Sequence, residues 1–81
     1  VSSTAYKLVV AKLIELRTKS GMTQRELAAA ISKSPSVVAK IEMGERRIDI
    51  LEFVAIVRAL GAKETDVFRS IAVELPKRIE I

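Results

Sequence analysis

The stretch Gly21–Gly44, GMTQRELAAAISKSPSVVAKIEMG, holds two helix starts, Thr23-Gln24-Arg25-Glu26 and Ser34-Pro35, eleven residues apart. In the first, the Thr23 hydroxyl can accept the Glu26 amide while the Glu26 carboxylate returns to the Thr23 amide, which makes a capping box. In the second, Ser34 stands at the N-cap. Pro35 takes the first helical position, where a missing N–H costs nothing. Each start is followed by roughly two or three turns of helical pattern, too few to be stable in isolation. Two such helices in succession call for a common core to pack on.

That core is legible from the apolar positions. Leu27, Ala28 and Ile31 line one face of the first helix, Val38 and Ile41 face inward on the second, and Ala28–Ala30 allow close approach. Ser32 and Lys33 form the turn and Gly44 ends the second helix. The outward face is then Pro35, Ser36, Val37 and Lys40: short, small and mildly basic. One helix that braces and a second that presents side chains to a major groove is the layout of a helix-turn-helix, here over residues 23–44.

Working outward, Tyr6, Val9, Leu13 and Leu16 recur at helical spacing and predict a helix from about Ala5 to Lys19, ended by Ser20-Gly21. Glu45–Ile48 reads as a loop. Asp49 caps a fourth helix whose inward face is Leu51 or Phe53, then Val54, Val57 and Leu60, stopped by Gly61. A fifth helix from about Glu64 carries Val67, Phe68, Ile71 and Leu75. Pro76 biases Leu75 towards an extended conformation. Alternation from Ile71 to Ile81 is also strand-like, and the reading adopted is helix to about Leu75, then an extended tail. The expectation is an all-α, compact five-helix domain over residues 1–75 with a tail at 76–81.

Composition narrows the chemistry. With 81 residues, the chain has no cysteine and no histidine. This removes thiolate metal sites, disulfides and the commonest general base, and it fits a reducing cytosol. No cofactor is expected. The carboxylates are scattered on helix surfaces or committed to caps, and no phosphate-cradling glycine loop exists, so an enzyme is not expected. Three aromatic residues offer little for stacking on single strands or RNA. No apolar run is long enough to span a membrane. No signal peptide is visible, and the start at Val1 fits a trimmed chain. Val1–Ile48 holds nine Lys and Arg against four Glu, whereas Asp49–Ile81 holds five against six acidic residues. The basic front half is either a face built for a polyanion or an ordinary solvated surface.

The stretch LIELRTKSGMTQRELAAAISKSPSVVAKIEMGERRIDILEFVAIVRALG resembles the DNA-binding domain of the phage Cro and lambda-repressor type, the xenobiotic-response-element (XRE) family. The resemblance is carried by Leu16-Arg17, Gly21-x-Thr23-Gln24-x-Glu26-Leu27-Ala28, Ile41-Glu42-x-Gly44 and Ala59-Leu60-Gly61, in order and at these spacings. It implies a lambda-repressor-like fold and double-stranded DNA as partner. Position by position, it makes Gln24 the glutamine that binds a phosphate and braces the recognition helix. Pro35, Ser36 and Lys40 take base-reading places, and Arg46 and Arg47 sit in a loop that grips the backbone. Arg17 and Glu42 become an internal salt bridge between the first and third helices. Three departures stand out. Ser32 replaces the usual turn glycine, which implies a strained or altered turn. Met43 replaces a polar residue, and Pro35 can offer a base only shape or apolar contact.

Base reading therefore rests on Ser34, Ser36, Val37 and Lys40. Lys40 can donate to guanine O6 and N7, or serve as a phosphate contact or a solvated lysine. Val37 either packs on a thymine methyl or forms a partly buried flank. Arg25 joins Gln24, Arg46 and Arg47 as an expected backbone contact. Members of the family bind as two-fold dimers, and Phe68, Ile71, Val73, Leu75, Ile79 and Ile81 are the expected interface, with Phe68, Ile71 and Leu75 also completing the core. The resulting reading is a dimeric bacterial or phage transcriptional regulator, cytoplasmic, acting as a repressor by occupying an operator. Three rivals stand beside it: an antitoxin that binds its own promoter and a toxin, an interaction module that has lost DNA binding, and the DNA-binding half of a longer protein.

Overall fold

Most of the helices begin where a side chain or a proline deals with the free amides of the first turn. In the computed structural model, which describes residues 3–81, Ser3 Oγ accepts the Tyr6 amide at 3.1 Å and opens α1 (Thr4–Ser20). The first two residues of the expected 1–75 domain lie outside the described residues. At α2 (Gln24–Ala30) both arms of the capping box form, Glu26 N–H to Thr23 Oγ1 at 3.0 Å and Thr23 N–H to Glu26 Oε1 at 2.9 Å. Pro35 starts α3 (Pro35–Glu42). A second capping box, Asp49 with Glu52, starts α4 (Ile50–Ala59). Finally, α5 (Glu64–Ala72) has no side-chain cap but carries Glu64 and Asp66 in its first turn, where the helix dipole favours negative charge. Among the described residues there are five helices and no strand.

The ends of α2 and α3 decide how sharply the chain can reverse. At each, the amide two residues past the cap reaches back to the last turn: Lys33 N–H to Ala28 O at 2.9 Å and Glu45 N–H to Lys40 O at 2.9 Å. These are Schellman closures, which need one left-handed residue. At the end of α3 that residue is Gly44, with φ 77°. At the end of α2 it is Ser32, with φ 57°, the one non-glycine among the described residues with positive φ. The substituted turn therefore keeps the geometry glycine would give, and Ser32 bears the steric cost.

The core forms where α1, α2, α3, α4 and α5 meet. Leu13, Leu27, Ala28, Val38, Ile41, Phe53, Ile56, Val57, Leu60 and Ile71 are buried together, and Val9, Leu16, Ile31, Val37, Val67 and Leu75 pack on their edge. Val38 is 2% exposed and Ile41 3%, as their spacing requires. Phe53, not Leu51, takes the inward place on α4; Leu51 is 76% exposed. Arg58 and Glu64 clasp α4 to α5 with two 3.0 Å bonds, and that guanidinium, followed by a backbone amide, holds the Glu64 carboxyl down at about 2.

Three expectations about the C-terminal part change. Helix α5 ends at Ala72 instead of about Leu75. The amides of Glu74 and Leu75 bond three residues back, to Ile71 and Ala72, so the last turn tightens as the chain approaches Pro76. Beyond Pro76 the chain bends at Lys77 and Arg78 before an irregular segment over 79–81, so the tail is not extended throughout. Ile71 lies in the core and has no surface to give a partner, while Leu75 is half-buried against that core. Conversely, Phe68, expected to share in the core, is 59% exposed. Val73, Ile79 and Ile81 are also exposed.

Ser32→Gly should relieve the left-handed strain, offset in part by the greater freedom of glycine in the unfolded chain. The expected gain is about 0.5–1 kcal/mol, read as a Tm rise of roughly 2–8 °C by calorimetry. An unchanged or lower Tm would show that Ser32 sits there without cost.

Candidate nucleic-acid interface

The outward side of α3 is assembled by what holds its inward side. Val38 and Ile41 anchor it in the core, which leaves Ser34, Pro35, Ser36 and Lys40 exposed on one continuous face. Val37 is half-buried and packs on the core edge, so its flank role is the one the structure supports. Ser34 occupies the N-cap position but makes no capping bond. Its Oγ instead lies 3.0 Å from Ser36 Oγ, one hydroxyl donating to the other. The pair presents donors and acceptors together at the exposed start of the helix.

At the other end of α3, Glu42 gathers two partners. Arg17 Nε donates to Oε2 at 2.6 Å and Arg17 Nη2 to Oε1 at 2.9 Å, a bidentate pair between α1 and α3. Gln24 Nε2 donates to the same Oε1 at 2.9 Å, so the start of α2 is bound to the end of α3. Arg17 Nη1 also donates to the Met22 carbonyl at 2.9 Å. The side chains of Arg17 and Glu42 are 14% and 9% exposed. Gln24 is thereby oriented, its side-chain amide bracing the end of α3.

The basic residues around this face fall into two groups. Arg25 and Lys40 are exposed and form no ion pair among the described residues. The two loop arginines, expected to act alike, are placed differently. Arg46 is half-buried, its Nη2 donating to Glu52 Oε2 at 2.7 Å, and its Nη1 is buried without a partner. Arg46 therefore ties the loop to the α4 capping box. Arg47 is exposed; its guanidinium lies 4.6 Å over the Tyr6 ring, and Nη2 donates to the Ile81 carbonyl at 3.0 Å. Sequence reasoning missed Tyr6 and Glu52 as partners of this loop. The D-x-x-E spacing of Asp49 and Glu52 was a signal for the capping box; nothing local signalled Tyr6, which is about forty residues away from the loop.

Bonding to Arg46, then to the Asp49 amide, holds the Glu52 carboxyl below the usual carboxylate range, with smaller help from the charge of Lys33. No group of residues that could hold a metal ion occurs among the described residues. No helix among them is long and apolar enough to cross a membrane.

A helix-turn-helix family model matches residues 13–68. An XRE-family like protein from Pseudomonas syringae pv. tomato is similar at 33% identity with a TM-score of 0.84, covering 89% of this chain and 88% of that one. The clp gene regulator ClgR from Corynebacterium glutamicum is similar at 27% identity with a TM-score of 0.77, covering 95% and 100%. The restriction-modification controller protein C.Esp1396I, solved as a tetramer with its natural 35-base-pair operator, shares the fold at 23% identity and a TM-score of 0.80, covering 90% and 96%. No curated protein matches the sequence. The chain belongs to the XRE-type helix-turn-helix family of DNA-binding transcription regulators.

Glu42→Ala should cost about 3–5 kcal/mol, because it strands a largely buried guanidinium and leaves Gln24 without its acceptor. A thermal melt matching that of the parent would refute this. For Glu52, a lowered folded-state pKa means its stabilisation is complete above the ordinary carboxylate range and is lost as pH falls through the lowered value. Arg46→Ala should move the Glu52 titration up towards that ordinary range, as followed by carboxyl NMR.

Proposed function

We propose that this protein is a sequence-specific double-stranded DNA-binding regulator that acts as a homodimer and represses by occupying its operator. The observation that carries the reading is the exposed face of α3. Ser34, Pro35, Ser36 and Lys40 share it, with nothing from the rest of the chain covering them, while Glu42 fixes the helix from behind. A rigid, small-residue helix face fits a major groove, where a lysine can donate to guanine and hydroxyls can serve several base edges. Arg25, Arg47 and the oriented Gln24 flank it as backbone contacts, and the positive end of α2 adds to them.

Dimerisation is supported by apolar surface that the monomer leaves open. Ile50 and Phe68 are exposed, and with the edges of Phe53, Val54 and Ala72 they line a shallow, mostly apolar groove between α4 and α5. Val73, Ile79 and Ile81 extend the apolar character into the tail. Two copies would place two α3 helices on half-sites about one helical turn apart.

Selection of bound duplexes from a random pool is the test. The expected product is a two-fold symmetric motif with half-sites about 10 base pairs apart, or a multiple of that. Lys40→Ala should relax preference at one position of each half-site by about 1–3 kcal/mol. Arg25→Ala should weaken all sequences alike and flatten the salt dependence by roughly 0.9 per lost phosphate contact. Phe68→Glu should shift sedimentation from dimer to monomer. Recovery of no enriched motif would remove the reading.

A further inference from the structure

Tyr6 is buried, at 8% exposure, yet it lies outside the hydrophobic core that takes in most of the other buried apolar side chains. Its side chain has polar partners at the hydroxyl and over the ring. The Ser3 hydroxyl caps its amide and fixes its place in the first turn of α1. Its hydroxyl accepts the Ile48 amide at 3.1 Å and reaches the Arg46 carbonyl at 3.5 Å. The Arg47 guanidinium lies over its ring, 4.6 Å from the centroid. Three consecutive loop residues thus meet one side chain from the first turn of α1.

The ends of that loop are held by other means. Schellman bonds to Lys40 close its start, and the Asp49–Glu52 capping box with Arg46 closes its finish. Neither device orients Arg47. We infer that Tyr6 is a positioning residue for DNA binding: its ring carries the Arg47 guanidinium and its hydroxyl fixes the loop backbone, so that the free donors of Arg47 face a phosphate beside the recognition helix. The inference rests on the DNA-binding reading above. A guanidinium held over an aromatic ring by cation–π attraction can still donate from its other N–H groups, and a guanidinium matches a phosphate bidentately. One Nη2 donor goes to the Ile81 carbonyl, and the rest of the fork remains open.

The test uses the whole chain and the duplex enriched by selection, with affinity measured across a salt series. Arg47→Ala should reduce the slope of log affinity against log salt by roughly 0.9, the loss of one phosphate. Tyr6→Leu should reduce it by a similar amount, and the double variant should show no further reduction. Tyr6→Phe keeps the ring and should bind about three- to tenfold more weakly. Base preference in the selection should stay as in the parent for all of these. A purely structural tyrosine would lower the melting temperature and leave the salt slope alone. An unchanged slope in Tyr6→Leu, or losses that add in the double variant, overturns the inference while leaving the DNA-binding reading intact. Failure of the parent to bind any duplex overturns both, and the two failures are told apart by the parent alone.

Discussion

One carboxylate, that of Glu42, decides the geometry of this molecule. It sits at the C-terminal end of α3, where the helix dipole disfavours negative charge, and it is 9% exposed. Left alone it would be costly there. Arg17 meets it with a two-pronged bond from α1, and Gln24 adds a third donor from α2. Such a node contributes less through net energy than through what it forbids, since a largely buried pair repays its desolvation only in one geometry. With helices of seven and eight residues, α2 and α3 have little stability of their own. The angle between them, and hence the outward tilt of Ser36 and Lys40, follows from this node and from the tight turn at Ser32.

Charge in the front half is less available than its total implies. Of the nine cations in residues 1–48, Lys12, Arg17, Lys19 and Arg46 are ion-paired within the chain. Lys7, Arg25, Lys33, Lys40 and Arg47 have no ion pair among the described residues. A polyanion would therefore meet a smaller set of cations, and Arg25 and Lys40 lie on or beside the helix-turn-helix. The two loop arginines, neighbours in sequence, end in different roles because one finds a carboxylate at the α4 capping box and the other an aromatic ring.

Local chemistry made much of the fold legible. The Thr23–Glu26 capping box, Pro35 at a helix start and the glycines at 21, 44 and 61 marked boundaries that the structure keeps within a residue or two. Periodicity found Leu13, Leu27, Val38, Ile41, Val57 and Leu60 in the core. It failed at α5, a short helix on the rim of the domain. There the apolar spacing cannot say which side chains meet the core, so Phe68 stayed out while Ile71 went fully in. The exposure of the candidate face was legible where its residues are consecutive, at Ser34–Ser36, whereas the partner of Arg47 was not, because Tyr6 comes from a distant element.

By itself, the sequence settled where helices start and stop, because caps, prolines and left-handed positions act within four or five residues of one another. It settled the family too, since the helix-turn-helix spacing is itself local. Only the tertiary structure decided which polar groups spend themselves on each other. The pairing of Arg17 with Glu42 was already implied by the family resemblance, but Arg46 with Glu52 and Arg47 with Tyr6 are choices made by distance in space, and each removes from or adds to the surface left for a partner.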